Sequence, residues 1–457
     1  MVFNPILDGI AKAAGKRRWL ANISLEEGLR VEKSAQGASL REKWVVAEVR
    51  LMLREAGSIG FAQADATLAG FDAAELVGRA AASARALGKN RFLSVPDFLE
   101  EPPEVDLGIF DPSWTSVGFD EAEKIALAIE EAALGLDGRV FAARKPSFGC
   151  SRLDRAVAVA GQRVFWSSTE FSASVEVGAR RGRSAESAWS SRDGRFLREI
   201  DPSFIGRDAA ARACELLGGK KARSGRVAAV LDGRVAAQFL EVLAPSLIGR
   251  EAQKGKSIFG RFGFGEKVIS EALTVIDDSS LKGGIDTSPV DDEGSASRRN
   301  LCIDRGRLSA FLFDREAAKR GGAAPTGNGT MGPCSITAEA TNFFISAEGG
   351  RELPELVGSV KRGVLIREAM GVHTIDSVSG DFSIGCAGLS IENGQLAAPF
   401  TGATISGNIL DLFGSVEAVG GKIEFTGSIG SPARLWGGGG WGREVGPERG
   451  WRAGRAM

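Results

Sequence analysis

The chain of 457 residues contains one histidine, His373, and no tyrosine. These two shortages remove most of the side chains that bind transition metals or move protons near neutral pH. A centre built on several imidazoles is excluded, and acid–base work falls to carboxylates, lysines or His373 alone. Cysteine is scarce as well. The five residues, at 150, 214, 302, 334 and 386, form no CxxC pair and are odd in number, so they read as reduced thiols of a cytoplasmic protein rather than a disulfide framework. No apolar run approaches the ~18 residues of a membrane helix. Lys16-Arg17-Arg18 follow only a short apolar patch, with no signal-peptide core after them, so no membrane contact is expected. Net charge is also missing: 57 basic residues face 58 acidic ones. That balance offers no basic face for phosphates, and direct nucleic-acid binding is not expected.

What is present is ordinary globular sequence, 43% hydrophobic and 25% charged, long enough for about three domains. Residues 1–90 read as a first α+β unit. A short helix, Pro5 to Ala14, precedes strands at Gly28–Lys33, Trp44–Leu53 and Ser58–Gln63, and Asp72 opens a helix from Ala73 to Leu87 that stops at Gly88. Residues 91–118 form a connector with prolines at 96, 102, 103 and 112. Residues 119–222 read as a central α+β unit. Its first helix takes Asp120 as N-cap and Glu123 at N3; short strands follow at Val140–Arg144, Ala156–Ala160, Arg163–Ser168 and Ala173–Ala179, then a helix from Arg207 to Leu217. Residues 223–435 form the largest, β-rich domain, opening with an apolar strand to Leu231, Asp232 as a cap, and a helix from Gly233 to Ala244. The Gly/Arg/Trp-rich tail 436–457 is expected to be disordered. The fold class is α+β: two small N-terminal units and a large β-rich C-terminal domain.

The densest pattern lies between Gly371 and Gly430. Asn393-Gly394 tolerates the positive φ values of a type I′ turn, so Leu389–Glu392 and Gln395–Ala398 read as a hairpin. Asn408 is a plausible N-cap for a helix carrying Ile409, Leu412, Phe413 and Val416 at helical spacing, and Lys422–Thr426 reads as a strand. The run SGDFSIGCAGLSIENG, the helix after ISGN, then AVGGKIEF and GSIGSP resemble the C-terminal signature of the TldD/PmbA family. The ending Gly430-Ser431-Pro432 resembles its PmbA (TldE) branch. Family members are cytosolic proteins, often labelled modulators of DNA gyrase. They work as a TldD–TldE heterodimer, a zinc metallopeptidase that degrades unfolded peptides or trims peptide precursors, with the metal in TldD.

The resemblance also says where the metal would be. The TldD branch carries His-Glu, three residues, then His on one helix, and a late Cys as third ligand. Here those positions fall on Leu240, Glu241 and Pro245, with Ile429 in place of the Cys. Leu, Pro and Ile have no atom to give a divalent metal. Pro245 should also end the helix and keep Ala244 from helical geometry. No metal or other cofactor is therefore expected in this chain, and zinc is expected in a TldD-like partner. Asp381, Ser383 and Asn408 are candidates for a wall facing substrate or partner.

Other residues carry two readings each. Glu241 is a solvated or paired helix carboxylate, or a lone catalytic base. His373 is a surface residue, or a lone acid–base group. Cys386 is a small buried thiol, or a nucleophile. Gly249 to Ser257 mimics a phosphate loop, but five residues separate the glycines where four are needed. SIFGRFGFG at 257–265 reads as a mobile loop. Asp277, Asp278, Asp286, Asp291, Asp292 and Glu293 lack an EF-hand pattern and read as acids of solvated loops. Leu308–Phe313 reads as a strand, and the Tyr that the family often has near Arg315 is missing. The expectation is a non-catalytic PmbA/TldE-like subunit of a peptidase acting on unfolded peptides with a TldD-like partner. The alternatives are a non-enzymatic binding or regulatory homodimer, and an enzyme built on Glu241, His373 or Cys386.

Overall fold

Alternating apolar and polar residues in the first half of the chain build one sheet, and the two α+β units share it. The structure, a computed structural model, describes residues 3–34, 39–65, 70–221, 225–376, 378–436 and the backbone of 443–447. Helix α1 (Asn4–Ala14) precedes β1 (Trp19–Lys33), β2 (Ser39–Glu55), β3 (Ser58–Asp65) and α2 (Ala73–Leu87). Helix α3 (Phe119–Leu134), β4 (Val140–Val159), β5 (Gln162–Arg181), β6 (Ser184–Gly194) and α4 (Pro202–Glu215) complete the half. The strands run β3-β2-β1-β4-β5-β6. Strand β1 pairs antiparallel with β2 on one side and β4 on the other, Leu25 lying between Ala47 and Asp154. Odd-numbered β1 residues and, past the register shift that follows Arg144, even-numbered β4 residues face the four helices. Ile23, Leu25, Ala156 and Ala158 pack under α1 and α2, and Val31, Phe148 and Cys150 under α3 and α4.

Several expected elements differ in extent. The short strands expected between 140 and 179 are two continuous strands of 20 residues each. Lys145, at φ 48°, lies in a register shift that lets β4 run on past an irregular point. Asp120 is not an N-cap: Gly118 occupies that position, extended, and α3 starts at Phe119. Glu123 is drawn away from its own helix end and accepts from Ser39 Oγ at 2.7 Å and from Arg41.

The second half adds β7 (Ala228–Leu231), α5 (Gly233–Leu243), α6 (Gly249–Gln253), β8 (Val275–Asp278), β9 (Arg299–Asp304), β10 (Arg307–Leu308) and α7 (Arg315–Gly321). A small hairpin follows, β11 (Gly329–Met331) with β12 (Ile336–Ala338), then β13 (Phe343–Ile345), α8 (Leu353–Gly358), β14 (Arg362–Met370), β15 (Asp381–Glu392) and β16 (Gln395–Asn408). Helix α9 (Ile409–Gly414), β17 (Val416–Thr426), β18 (Ile429–Trp436) and β19 (Arg443–Pro447) close the chain. Eleven strands form one sheet, in the order β10-β9-β8-β13-β18-β7-β14-β15-β16-β19, with β17 pairing to β18 off that path. The expected strand at 308–313 is only its first residue. Beyond Leu308 the chain leaves the sheet, and the Leu312 N–H turns to the Leu247 carbonyl at 2.8 Å. Of the tail expected to be disordered, Trp436 is a buried end of β18 and residues 443–447 pair with β16; residues 437–442 and 448–457 lie outside the described residues. The Asn393-Gly394 turn has φ 51° and 77°, and Asn408 caps α9 through Leu410 N–H at 3.0 Å.

Among the described residues no helix is long and apolar enough to cross a membrane.

Candidate functional site

Helix α5 is where the sequence places the altered metal site. Apolar β7 leads into Asp232, whose carboxylate accepts the Arg234 N–H at 3.0 Å and so starts the helix. The same carboxylate takes Arg212 from α4 and Arg367 from β14, both at 2.9 Å. Arg212 and Arg234 also reach Asp208, and Arg367 reaches Glu215. This hub joins the six-stranded half to the large domain. Val235, Ala236, Phe239, Leu240 and Leu243 form the buried face of α5.

The α-helix ends at Leu243, as Pro245 requires, and a 3-10 turn, Ala244–Leu247, continues it. Ala244 nevertheless keeps helical dihedrals, φ −54° and ψ −47°. The tighter turn tolerates a proline near its start, where no N–H is needed. Leu240 is fully buried, and Ile429 packs half-buried against the same core. Pro245 and Glu241 are exposed, on other sides of the helix. Leu240, Pro245 and Ile429 offer only carbon to their surroundings, so the residues present do not fit zinc. Among the described residues, no group of three or more His, Cys, Asp or Glu is placed to hold a metal ion.

The other candidates separate. The turn Val372–Thr374, with an exposed His373, packs against α5. Cys386 is fully buried in β15, and burial pushes its thiol up to about 12, far from nucleophilic range. Asp381 and Asn408 do meet. Asn408 Nδ2 donates to Asp381 Oδ1 at 2.9 Å and to the Ser379 carbonyl at 2.8 Å, and its oxygen caps α9. That uses both N–H donors of the Asn408 amide. Ser383 is exposed two residues along β15. Gly249 begins a five-residue helix and cradles no phosphate: a Cβ there would stand 2.0 Å from the Phe313 ring.

The acids expected in solvated loops are the clearest correction. Asp277, Asp278, Asp291, Asp292 and Glu293 are all buried. Aimed donors compensate this burial, save at one Glu293 oxygen. Asp277 accepts from the Asn328 side chain at 2.7 Å and the Thr341 N–H at 2.6 Å. Burial still raises Asp277 to about 6. A legible signal was the company these acids keep: Asn300, Asn328, Thr341 and Asn342 lie in the same segment as partners.

Asp286, Asp291 and Asp292 line a cavity of about 450 Å³ between the six-stranded sheet and the large domain. Glu26, Arg50, Arg155, Trp166 and Glu170 supply the sheet wall, and Arg195, just past the end of β6, stands beside them. Arg195 spends its donors on the carbonyls of Gly284 and Thr169, each at 3.0 Å, and of Ile285. Burial raises the Glu170 carboxyl above its usual range. None of Leu240, Glu241, Pro245, His373, Asp381, Ser383, Cys386, Asn408 or Ile429 lines this space. In sequence the sheet wall looks like the solvent face of a half-buried sheet, which hid it.

The architecture defines an α+β protein in which a β-rich domain sits on a six-stranded sheet. Two family models match it: the PmbA/TldA metallopeptidase central domain over residues 112–217 and the C-terminal domain over 224–437. The chain belongs to the PmbA/TldD metallopeptidase family, on its PmbA/TldE-like side. It is 26% identical over 334 residues to the metalloprotease PmbA of Escherichia coli O157:H7, covering 71% of this chain and 70% of that one. Its fold is similar to a proposed modulator of a DNA gyrase from Thermotoga maritima, with a TM-score of 0.87, 22% identity and coverage of 95% and 98%. It is similar also to TldE from Thermococcus kodakarensis, with a TM-score of 0.82, 19% identity and coverage of 96% and 99%.

Proposed function

We propose that this chain is a metal-free, non-catalytic subunit, paired in the cytoplasm with a TldD-like zinc metallopeptidase that degrades or trims unfolded peptides. The observation that carries the reading is chemical. The three positions that would hold zinc are Leu240, Pro245 and Ile429, and two of them are packed into the apolar core beneath α5. The surviving Glu241 is exposed with no metal-bound water to act on. The subunit's work is then to complete the peptide-binding chamber. Extended peptides are gripped by main-chain bonds to a sheet edge, which suits substrates of many sequences. Asp381 and Ser383, exposed on β15, are the side chains offered to that surface.

The test is metal content and peptidase activity of the purified chain, alone and mixed with a TldD-like protein of the same source. Neither zinc nor activity alone, and activity on mixing, is the expected result. Stoichiometric zinc in the lone chain would overturn the reading. Inactivity of the mixture, with a stable homodimer of this chain, would favour a non-enzymatic binding or regulatory protein.

A further inference from the structure

The turn Asp291–Gly294 fastens the large domain to the six-stranded sheet. The Asp292 carbonyl accepts the Asn22 side chain from β1 at 2.8 Å, and the Asp292 carboxylate pairs with Arg155 from β4. Its second oxygen accepts the Met331 N–H at 2.9 Å, while Arg50 from β2 donates to the Met331 carbonyl at 2.6 Å. The Gly294 carbonyl accepts the Glu100 N–H from the connector at 2.8 Å.

Two carboxyls stand inside this joint. Asp291 accepts three N–H groups, from Glu293 at 2.9 Å, Ser295 at 2.7 Å and Gly329 at 2.8 Å; they favour its charged form against the burial that raises it to about 7, so Asp291 ionises before Glu293. Glu293 is 1% exposed. One of its oxygens accepts the Arg315 N–H at 2.7 Å, and the other has no partner. The charged groups facing it are Asp291, Asp314 and Arg315. Asp314 is engaged by Arg250 at 2.9 Å, and the Arg315 guanidinium turns away to Glu100 at 3.3 Å. The packing leaves no slack: a Cβ on Gly329 would lie 2.7 Å from Glu293 Oε2 and 3.0 Å from Asp291 Oδ2.

We propose that Glu293, held as a neutral acid, is the latch of this joint, and that its ionisation in mildly alkaline solution releases the Asp291–Gly294 turn from the six-stranded sheet. Burial, and then the Asp291 charge, raise Glu293 to about 8. The native pKa lies above the unfolded value of about 4.3. The contribution is therefore complete below that value and is lost as pH rises through about 8. Because Asp291, Asp292 and Gly329 line the 450 Å³ cavity, release also opens its wall.

The test is hydrogen–deuterium exchange of the full chain at pH 6.5, 7.5 and 9, expressed as protection factors so that intrinsic exchange is removed. Between pH 6.5 and 9 the open form, in which Glu293 ionises near 4.3, should gain about thirtyfold, most of it already by pH 8. Protection of segments 287–300 and 327–341 should fall by about that factor at pH 9, while α1 to α4 hold theirs. Glu293→Gln should keep protection at every pH; should it not fold, Glu293→Met serves the same comparison. Equal wild-type protection at pH 6.5 and 9, or loss in the substituted protein in step with wild type, would overturn the proposal.

Discussion

Replacing Asp232 is the sharpest perturbation of the helix that carries Leu240 and Glu241. Asp232 is 2% exposed. It accepts the Arg234 N–H in the first turn of α5 and one hydrogen bond each from Arg212 and Arg367, whose side chains are 8% and 17% exposed. A hydrogen bond to a charged group contributes about 1.5–3 kcal/mol, and an N-cap about 1. The two arginines keep Asp208 and Glu215 as partners, so the losses do not simply add. Asp232→Ala should cost about 3–5 kcal/mol, the range for breaking a buried pair. Asp232→Asn retains a cap acceptor and should cost about 1 kcal/mol less. The assay is urea unfolding at pH 7 followed by circular dichroism. Hydrogen exchange over residues 228–243 assigns the transition that includes α5, since a chain of several parts need not unfold in one step. If both variants lie within about 0.5 kcal/mol of wild type, the hub does not seat α5, and this account of the junction fails.

The thiols and one glutamate give two further tests. Cys334 is exposed while Cys150, Cys214, Cys302 and Cys386 are buried, so a thiol reagent at pH 8 should modify one cysteine rapidly and the other four only after denaturation; fast labelling of Cys386 would contradict its place in the core. Glu368 stands 3.9 Å from Arg212, and burial with Asp232 and Asp208 nearby raises it to about 7. Its contribution is present below about pH 4.3 and lost as pH rises through 7, so Glu368→Gln should flatten the fall in stability between pH 5 and 8. An unchanged slope in thermal melts would show that Glu368 does not titrate in that range.

Local backbone chemistry made much of the fold legible. Asp72 and Asp232 each cap the helix that follows them, and Asn393-Gly394 turns the hairpin, because these effects act within three or four residues. The shared sheet was not legible. The pairing of β1 with β4 joins residues more than a hundred positions apart, and each strand alone shows only alternation. The buried acids were misread for a related reason. A run such as Asp291-Asp292-Glu293 looks solvated until the donors that satisfy it are folded around it, and those donors come from Gly329, Met331 and Arg155.

That a family member can carry Leu240, Pro245 and Ile429 follows from how α5 is held. The helix is anchored at its start by the charged hub, and along its length by Val235, Phe239, Leu240 and Leu243 packed into the core. A metal bridging α5 to β18 would add a link between two elements already in contact. Its loss therefore need not unfold the domain, in contrast to small domains whose folding energy is mostly metal binding. Leucine at 240 extends the apolar core, a fully buried aliphatic side chain contributing about 1.5–3 kcal/mol, and the half-buried isoleucine at 429 adds less. On such a scaffold the metal chemistry and the fold are separable.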